Sequence, residues 1–566
     1  MIVPAMERLL GPLLALLLTL GAWLASDLRG RLWNSYVSYS SPYLVSLPAG
    51  EAGPPQTRRI VLLVVRGLTE REAEDMPAMQ ALRIRGAQAT LELDTPTFSN
   101  PAWLTLLSGA SAEIHGGVTD ASPPNIHLDT LFERVADSGS AGTLLASASV
   151  VARFPSGSHL GDVFDDEDPV QHDAGVVAAM LQILRTQASP ERLLVGELAV
   201  LDAIRIRGDE AERTMSIAAA DIRIESLAHA MDLSRDTLVI VSDRGRAPNG
   251  AEGGTEPVIA RVPLVLAGAG VQRGAQTLGR AIDFAPTLAV LLGMPIPTHS
   301  QGTPLWDLVT SRAFLPAARQ LTAFYEAWAE VAGQNRFAAE LLRTYEADLA
   351  AGVRARYDVW HAALEYAAGQ AHSNALATSQ SARLPIAIFL SVALLAACYF
   401  VLDNQALPPL LGTGIFIAAW VADAVFLRGV STSLSLFGQS GNTAVLSLLT
   451  RDTTLLYLGA CIIAAIAAAL TCETLGEAVL ATIGTLVLTT TICTAIALWF
   501  FLRWGDAYQI ALPDGTSLTL AQLALRQITA LNWSFMVGIP ALPIPIVALL
   551  PPLFTWNLFG GRVIRD

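Results

Sequence analysis

The residues able to do chemistry fall in four short stretches. Ser99, followed by Asn100 and Pro101, opens a helix-like run, "TPTFSNPAWLTLLSGA". Arg66 and Gly67 end the apolar run "IVLLVV", Asp202 follows the apolar run "LLVGELAV", and "SDRGRAPNGAEGG" (242 to 254) follows the β-like run Thr237 to Val241. Together they offer one hydroxyl, the carboxylates Asp202, Asp243 and Glu252, and the guanidiniums Arg66 and Arg244. A serine hydroxyl assisted by carboxylates could serve as a nucleophile, and a helix N-terminus flanked by arginines is a seat for an oxyanion. The same residues have plainer readings: Ser99 ahead of Pro101 is a helix N-cap, and Arg66 and Arg244 are counter-ions to the acids. Guanidinium groups only donate N–H, so neither arginine can ligate a metal.

The elements that must position these residues alternate between strand-like and helical patterns. Strands are expected at Ile60 to Val65, Leu144 to Val151, Leu193 to Leu198, Thr237 to Val241 and Val262 to Ala267, with helices at Met76 to Gly86, Ala174 to Thr186 and Ser216 to Met231. That order predicts an α/β domain with a mainly parallel central sheet and ligand sites at the strand C-terminal ends.

At 566 residues and 52% hydrophobic content, the chain is too apolar for an ordinary soluble protein. Leu9 to Ser26 has the length of a membrane anchor, and apolar spans return near 384–402, 407–427, 453–472, 478–502 and 535–557. The expected organisation is an N-terminal anchor (1–30), a linker (31–57), the α/β domain (58–311), a helical connector read as a pair of helices (312–380) and a polytopic bundle of about five further helices (381–566). Asp423 is the main carboxylate within an apolar span and so a functional candidate, weakened by Arg428 five residues on. A net charge of −14 excludes a nucleic-acid-binding face. All four cysteines lie in the C-terminal third, so the α/β domain has no disulfide and no thiolate metal site. The arginine distribution by itself puts that domain on the cytoplasmic side.

Taken together, "IVLLVVRGLT", "MPAMQALRIRGAQAT", "TPTFSNPAWLTLLSGASAEIHGGVTD", "SDRGRAPNGAEGG", "VPLVLAGAGV" and "AIDFAPTLAVLLGMPIP" resemble the alkaline phosphatase superfamily in its type I phosphodiesterase and nucleotide pyrophosphatase branch, over roughly residues 58 to 310. The membrane layout and "AARQLTAFYEAW" resemble the ethanolamine phosphate transferases that modify GPI anchors. The resemblance implies a zinc pair held by Asp and His, a Ser or Thr nucleophile and an extracytoplasmic domain. Carried onto this chain, it puts the nucleophile at Ser99, beside Asn100, and a first metal-binding aspartate at Arg66. It puts an Asp-x-x-x-His pair at Asp202 and Ile206, Asp-His-Gly at Asp243-Arg244-Gly245, and Gly-x-His-Gly-Gly at Gly250-Ala251-Glu252-Gly253-Gly254. One aspartate and all three histidines of that pattern are absent, and His115 with the other seven histidines lies outside these positions.

The expectation is therefore a degenerate metal site: no metal, the zinc pair lost, and an internal ion-pair network in its place. The function that follows is a non-catalytic, multi-pass membrane protein whose phosphodiesterase-like domain is a docking or structural module, with the bilayer and other membrane subunits as partners. The alternative is a membrane-bound phosphodiesterase or phosphoethanolamine-type transferase acting through Ser99 on lipid-linked head groups.

Overall fold

The computed structural model describes residues 3–536 except 121, 123–127, 155–158, 165–167, 187–190, 208–209, 248–249, 251, 403–406, 423–454, 457–458, 461, 465, 468–474, 507 and 509–510. The strands are β1 (Ile60–Val65), β2 (Ala87–Glu92), β3 (Ala141–Ser147), β4 (His159–Phe164), β5 (Glu191–Leu198), β6 (Thr237–Val241), β7 (Arg261–Gly268) and β8 (Gln276–Arg280). They form one eight-stranded sheet in the order β4-β3-β5-β1-β6-β7-β2-β8. Pairing is parallel except along both edges of β7, which runs antiparallel to β6 and β2, so the α/β domain is built on a mixed, mostly parallel sheet.

The central strands lack polar/apolar alternation because both of their faces are covered. In β1 all six side chains are buried. Ile60, Leu62 and Val64 enter one core with Trp103, Phe132 and Phe284, while Val61, Leu63 and Val65 enter the other with Met79, Met180 and Ile224. Strands β5, β1 and β6 lie side by side and in parallel, so their C-terminal ends open at one place.

The expected strand over Leu144 to Val151 is shorter than its apolar run: β3 ends at Ser147, and Ala148–Val151 turns into a helix. Strands β2, β4 and β8 are not anticipated, since β2 and β8 carry polar residues on partly exposed faces. Residues 31–37, expected in a linker, continue the first helix (Val3–Val37), and Tyr36, Tyr39 and Tyr43 beyond its apolar run are buried. The connector is three helices instead of two: Phe314–Val331, Ala338–Ala350 and Arg354–Leu402, the last running through Pro385 into the apolar stretch expected at 384–402.

Among the described residues, two helices are long and apolar enough to cross a membrane, within Arg354–Ala396 and Gly484–Trp504. The span expected at 407–427 begins as the helix Leu407–Val421. Most of the stretches at 453–472 and 535–557 lie outside the described residues. An unanticipated helix, Gly515–Met536, packs its Leu518, Ala521, Leu525 and Ile528 against Ala25, Leu32 and Tyr36 of the first helix. Gln522, Gln527 and Asn532 break its hydropathy, yet all three are buried.

Candidate functional site

Three parallel strands deliver the site. Glu197 is the last residue but one of β5, Arg66 follows β1 directly, and Ser242, Asp243 and Arg244 follow β6. Gly67 makes the turn after Arg66 at φ +72 and donates its N–H to Asp243 Oδ1 at 3.2 Å. Asp202 lies in the first turn of the helix Val200–Arg207. The loop after β6 is drawn tightly across the domain at Gly245, where a Cβ would come 1.8 Å from the Val258 carbonyl oxygen.

Arg244 is the centre of the arrangement and is fully buried. Its Nε donates to Glu252 Oε2 at 2.6 Å, its Nη1 to Asp243 Oδ2 at 2.6 Å, and its Nη2 to Asp202 Oδ1 at 3.0 Å. Arg66 donates from Nη1 to Glu197 Oε1 at 3.1 Å and from Nη2 to Asp202 Oδ2 at 3.2 Å. Arg246, also buried, brings Nη2 to 2.8 Å from Asp202 Oδ1 and 2.7 Å from Glu252 Oε2. Three guanidiniums thus face the four carboxylates of Glu197, Asp202, Asp243 and Glu252, which leaves one negative charge in excess.

The electrostatics follow from this geometry. Burial works against ionisation of Asp202, but Arg244, Arg66 and Arg246 together outweigh it and carry its pKa well below the usual carboxylate range. Burial likewise opposes the charge on Arg244, and Asp202, Glu252 and Asp243 reverse that, so it stays protonated. The same balance, with Asp202 and Glu197 as the main partners, holds Arg66.

Ser99 is buried, and its hydroxyl donates to Asp243 Oδ2 at 2.7 Å. This corrects the N-cap reading: the cap is Phe98, Ser99 is the first residue of the helix Ser99–Ser108, and its side chain turns to the network instead of the helix end. Asn100 is tied to Asp120, its N–H donating to Oδ1 at 2.8 Å and its side-chain amide to the backbone carbonyl at 2.9 Å. Ile206 lies in the Val200–Arg207 helix one turn beyond Asp202, with its side chain outside the described residues, as is Asp423 altogether.

Four contributors escape the motif-by-motif reading: Glu197, Arg246, Asp120 and His172. Glu197 carries a signal, as the lone acid near the end of a strand buried at six successive positions. Arg246 follows Arg244 by two residues in the loop after β6, and both reach Asp202 Oδ1 and Glu252 Oε2. His172 lies outside the motif positions, as every histidine does, yet its Nε2 is 3.6 Å from Glu197 Oε2. Beside it Asp173, which accepts the Ala199 N–H at 2.7 Å, is pushed by burial up to about 7. His115 instead belongs to the core, with Nε2 3.0 Å from Thr105 Oγ1 and Nδ1 accepting the Gly117 N–H.

No family model matches the chain, and no curated protein is significantly similar to it in sequence. Solved structures similar to it include a 2-O GAG sulfatase, 13% identical, covering 44% of this chain and 73% of its own with a TM-score of 0.37. A protein of the alkaline phosphatase superfamily from Vibrio parahaemolyticus is 12% identical over 51% of this chain and 79% of its own, TM-score 0.36. Murine ectonucleotide pyrophosphatase/phosphodiesterase 5 is 13% identical over 44% of this chain and 100% of its own, TM-score 0.35.

Proposed function

We propose that this chain is a non-catalytic membrane protein: an α/β domain kept as a docking or structural module on a helical membrane bundle, as an accessory subunit of a larger complex. The observation that carries this reading is the pairing of Arg66, Arg244 and Arg246 with four buried carboxylates, one of which, Asp243, also takes the Ser99 hydroxyl. A phosphodiester needs positive charge to spare where its oxygens sit. Here the count runs the other way, with one negative charge over, so an incoming phosphoryl group meets net repulsion.

The donor set does not suit a zinc pair. Zinc sits about 2 Å from carboxylate oxygens, and the oxygens of Asp202, Asp243 and Glu252 already have guanidinium nitrogens at 2.5–3.0 Å. A divalent ion would have to displace fixed cations that cannot be deprotonated. In charge, the guanidiniums do for the fold what a metal would do.

One observation favours a second reading, a phosphodiester hydrolase or transferase: the Ser99 hydroxyl points at a carboxylate 2.7 Å away, the relation of a nucleophile to a base. That carboxylate also accepts from Arg244 and Gly67, so lone pairs on both of its oxygens are already engaged.

The purified full chain, assayed on an aryl phosphodiester with and without zinc or manganese, separates the two. The non-catalytic reading expects no turnover in either the native protein or Ser99→Ala. Turnover that vanishes in Ser99→Ala establishes the enzyme. Purification from native membranes should bring down stoichiometric companion subunits.

A further inference from the structure

The first helix ends at Val37, and the carbonyls of a helix's last turn have no partner within it. The Val37 carbonyl accepts the Ser122 hydroxyl at 3.1 Å. At the start of the helix Ser99–Ser108 the need is opposite: the Asn100 N–H, in the first turn, has no helical carbonyl to donate to. Asp120 Oδ1 accepts it at 2.8 Å, and the Asp120 backbone carbonyl accepts the Asn100 side-chain amide at 2.9 Å. A donor at a helix C-terminus and a carboxylate at an N-terminus each match the partial charge found there. One turn, carrying both Asp120 and Ser122, thus joins the end of the first helix to the start of the helix that bears Ser99.

The turn is held as one piece. The Ser122 N–H donates to the Thr119 carbonyl at 3.1 Å, and Ser122 Oγ accepts the N–H groups of Val118 at 3.2 Å and Thr119 at 3.1 Å. Arg153 donates to the Asp120 carbonyl at 2.8 Å and also to the Ser122 carbonyl. Val118 is buried in the same apolar cluster as Leu32, Tyr36 and Tyr39, so packing as well as hydrogen bonding ties the turn to the first helix.

Its other side meets the arginine–carboxylate network. Asn100 follows Ser99, whose hydroxyl donates to Asp243, and the Asp120 carboxylate adds to the charge that keeps Arg244 protonated. Both Asn100 donors are filled by oxygens of Asp120. A hydrogen bond is lost beyond about 3.5 Å, so a shift of the turn by about 1 Å is enough to free them.

We propose that this turn is a latch through which the seating of the first helix sets whether Asp120 occupies the Ser99 site. With the first helix docked on the α/β domain, Asp120 closes the Asn100 donors; with it displaced, they are released beside Ser99. The latch concerns the occupant of those donors and holds for a non-catalytic module and a hydrolase alike, so it stands apart from the function proposed above.

The test is hydrogen exchange at the Asn100 amide of the full chain in detergent, with the amides of Thr237–Val241 reporting global opening. The Asn100 amide owes its protection to Asp120, since its own helix offers it none. Asp120→Ala should speed its exchange roughly tenfold or more, the scale of one lost hydrogen bond to a charged acceptor. Tyr36→Ala, which loosens the end of the first helix without touching Asp120, should speed it several-fold. It should add nothing in the Asp120→Ala background, as expected of two changes that act through one contact. Ser122→Ala removes only a hydroxyl, should act in the same direction, and decides the matter if Tyr36→Ala does not fold. An Asn100 amide unmoved by Asp120→Ala overturns the contact itself. Exchange quickened by Asp120→Ala but by neither Tyr36→Ala nor Ser122→Ala overturns the link to the first helix. An equal rise at Thr237–Val241 in every variant overturns the latch in favour of general loosening.

Discussion

Arg244 Nη2 lies 3.0 Å from Asp202 Oδ1 with both side chains nearly or fully out of solvent. Burying a charge is costly in isolation, and a buried pair broken on one side leaves the other uncompensated. Arg244→Met should therefore destabilise the α/β domain by about 3–5 kcal/mol, the usual cost of such a break, read by chemical denaturation. Adding Glu252→Gln and Asp202→Asn to Arg244→Met should recover part of it, because the orphaned negative charge is then removed. A loss under about 1 kcal/mol, the scale of an exposed pair, would mean the network contributes little.

The same chemistry can be run backwards. Arg66→Asp, Ile206→His, Arg244→His and Glu252→His together put lone-pair donors at the positions the sequence resemblance marks as ligands. Metal analysis of the purified quadruple variant should give bound zinc near stoichiometry, against none for the native chain. Stoichiometric zinc in the native chain would contradict the guanidinium-filled site.

Glu113 gives a pH dependence with a definite sign. It sits where the α/β domain meets the loop before Gly515–Met536, and Tyr39 donates to its backbone carbonyl at 3.0 Å. Burial pushes its carboxyl up to about 8, with the Leu512 N–H pulling the other way; His372 lies 3.8 Å from Oε1. Because its folded pKa exceeds the unfolded value of about 4.3, its neutral form favours the folded state. That contribution is complete below about pH 4.3 and fades as pH rises through 8. Tm should fall as pH rises from about 4.3, the unfolded value, to about 8, the folded one, in the native chain and fall less in Glu113→Gln. Parallel slopes for the two proteins would rule Glu113 out.

How much of this is legible in the sequence depends on whether a residue's signal is local. The unbroken apolar runs of β1 and β6 predict Ile60–Val65 and Thr237–Val241 to the residue, because both faces of those strands are buried. Arg66 and Arg244 stand out only against the sequence resemblance, which implies lone-pair donors at those two positions. Ser99 before Pro101 carries the local signature of a cap, whereas its actual partner, Asp243, is 144 residues away. His172 gives no signal at all, since only the packing of Pro169–Arg185 against β5 brings it to Glu197. In Gly515–Met536 the buried Gln522 and Asn532 lower the hydropathy that would mark a span, although both face the first helix, at Arg29 and Gly21.

The glycines of the loop after β6 meet different local constraints, and alanine at each should separate them. Gly250 has φ +81 and nothing within 4 Å of where a Cβ would lie, so Gly250→Ala should cost only the left-handed backbone penalty of about 1–2 kcal/mol. Gly253 combines φ +90 with the Phe98 ring 2.4 Å from where a Cβ would lie. Gly245 needs no left-handed backbone, yet its Cβ would strike the Val258 carbonyl at 1.8 Å and break the Gly245 N–H bond to Ile259 O at 2.9 Å. That bond seats the segment from which Arg244 and Arg246 enter the carboxylates. Gly245→Ala should thus be the most destabilising of the three and Gly250→Ala the least, by thermal unfolding. If Gly250→Ala proved the worst, backbone conformation and not close approach would be what holds the arginines in place.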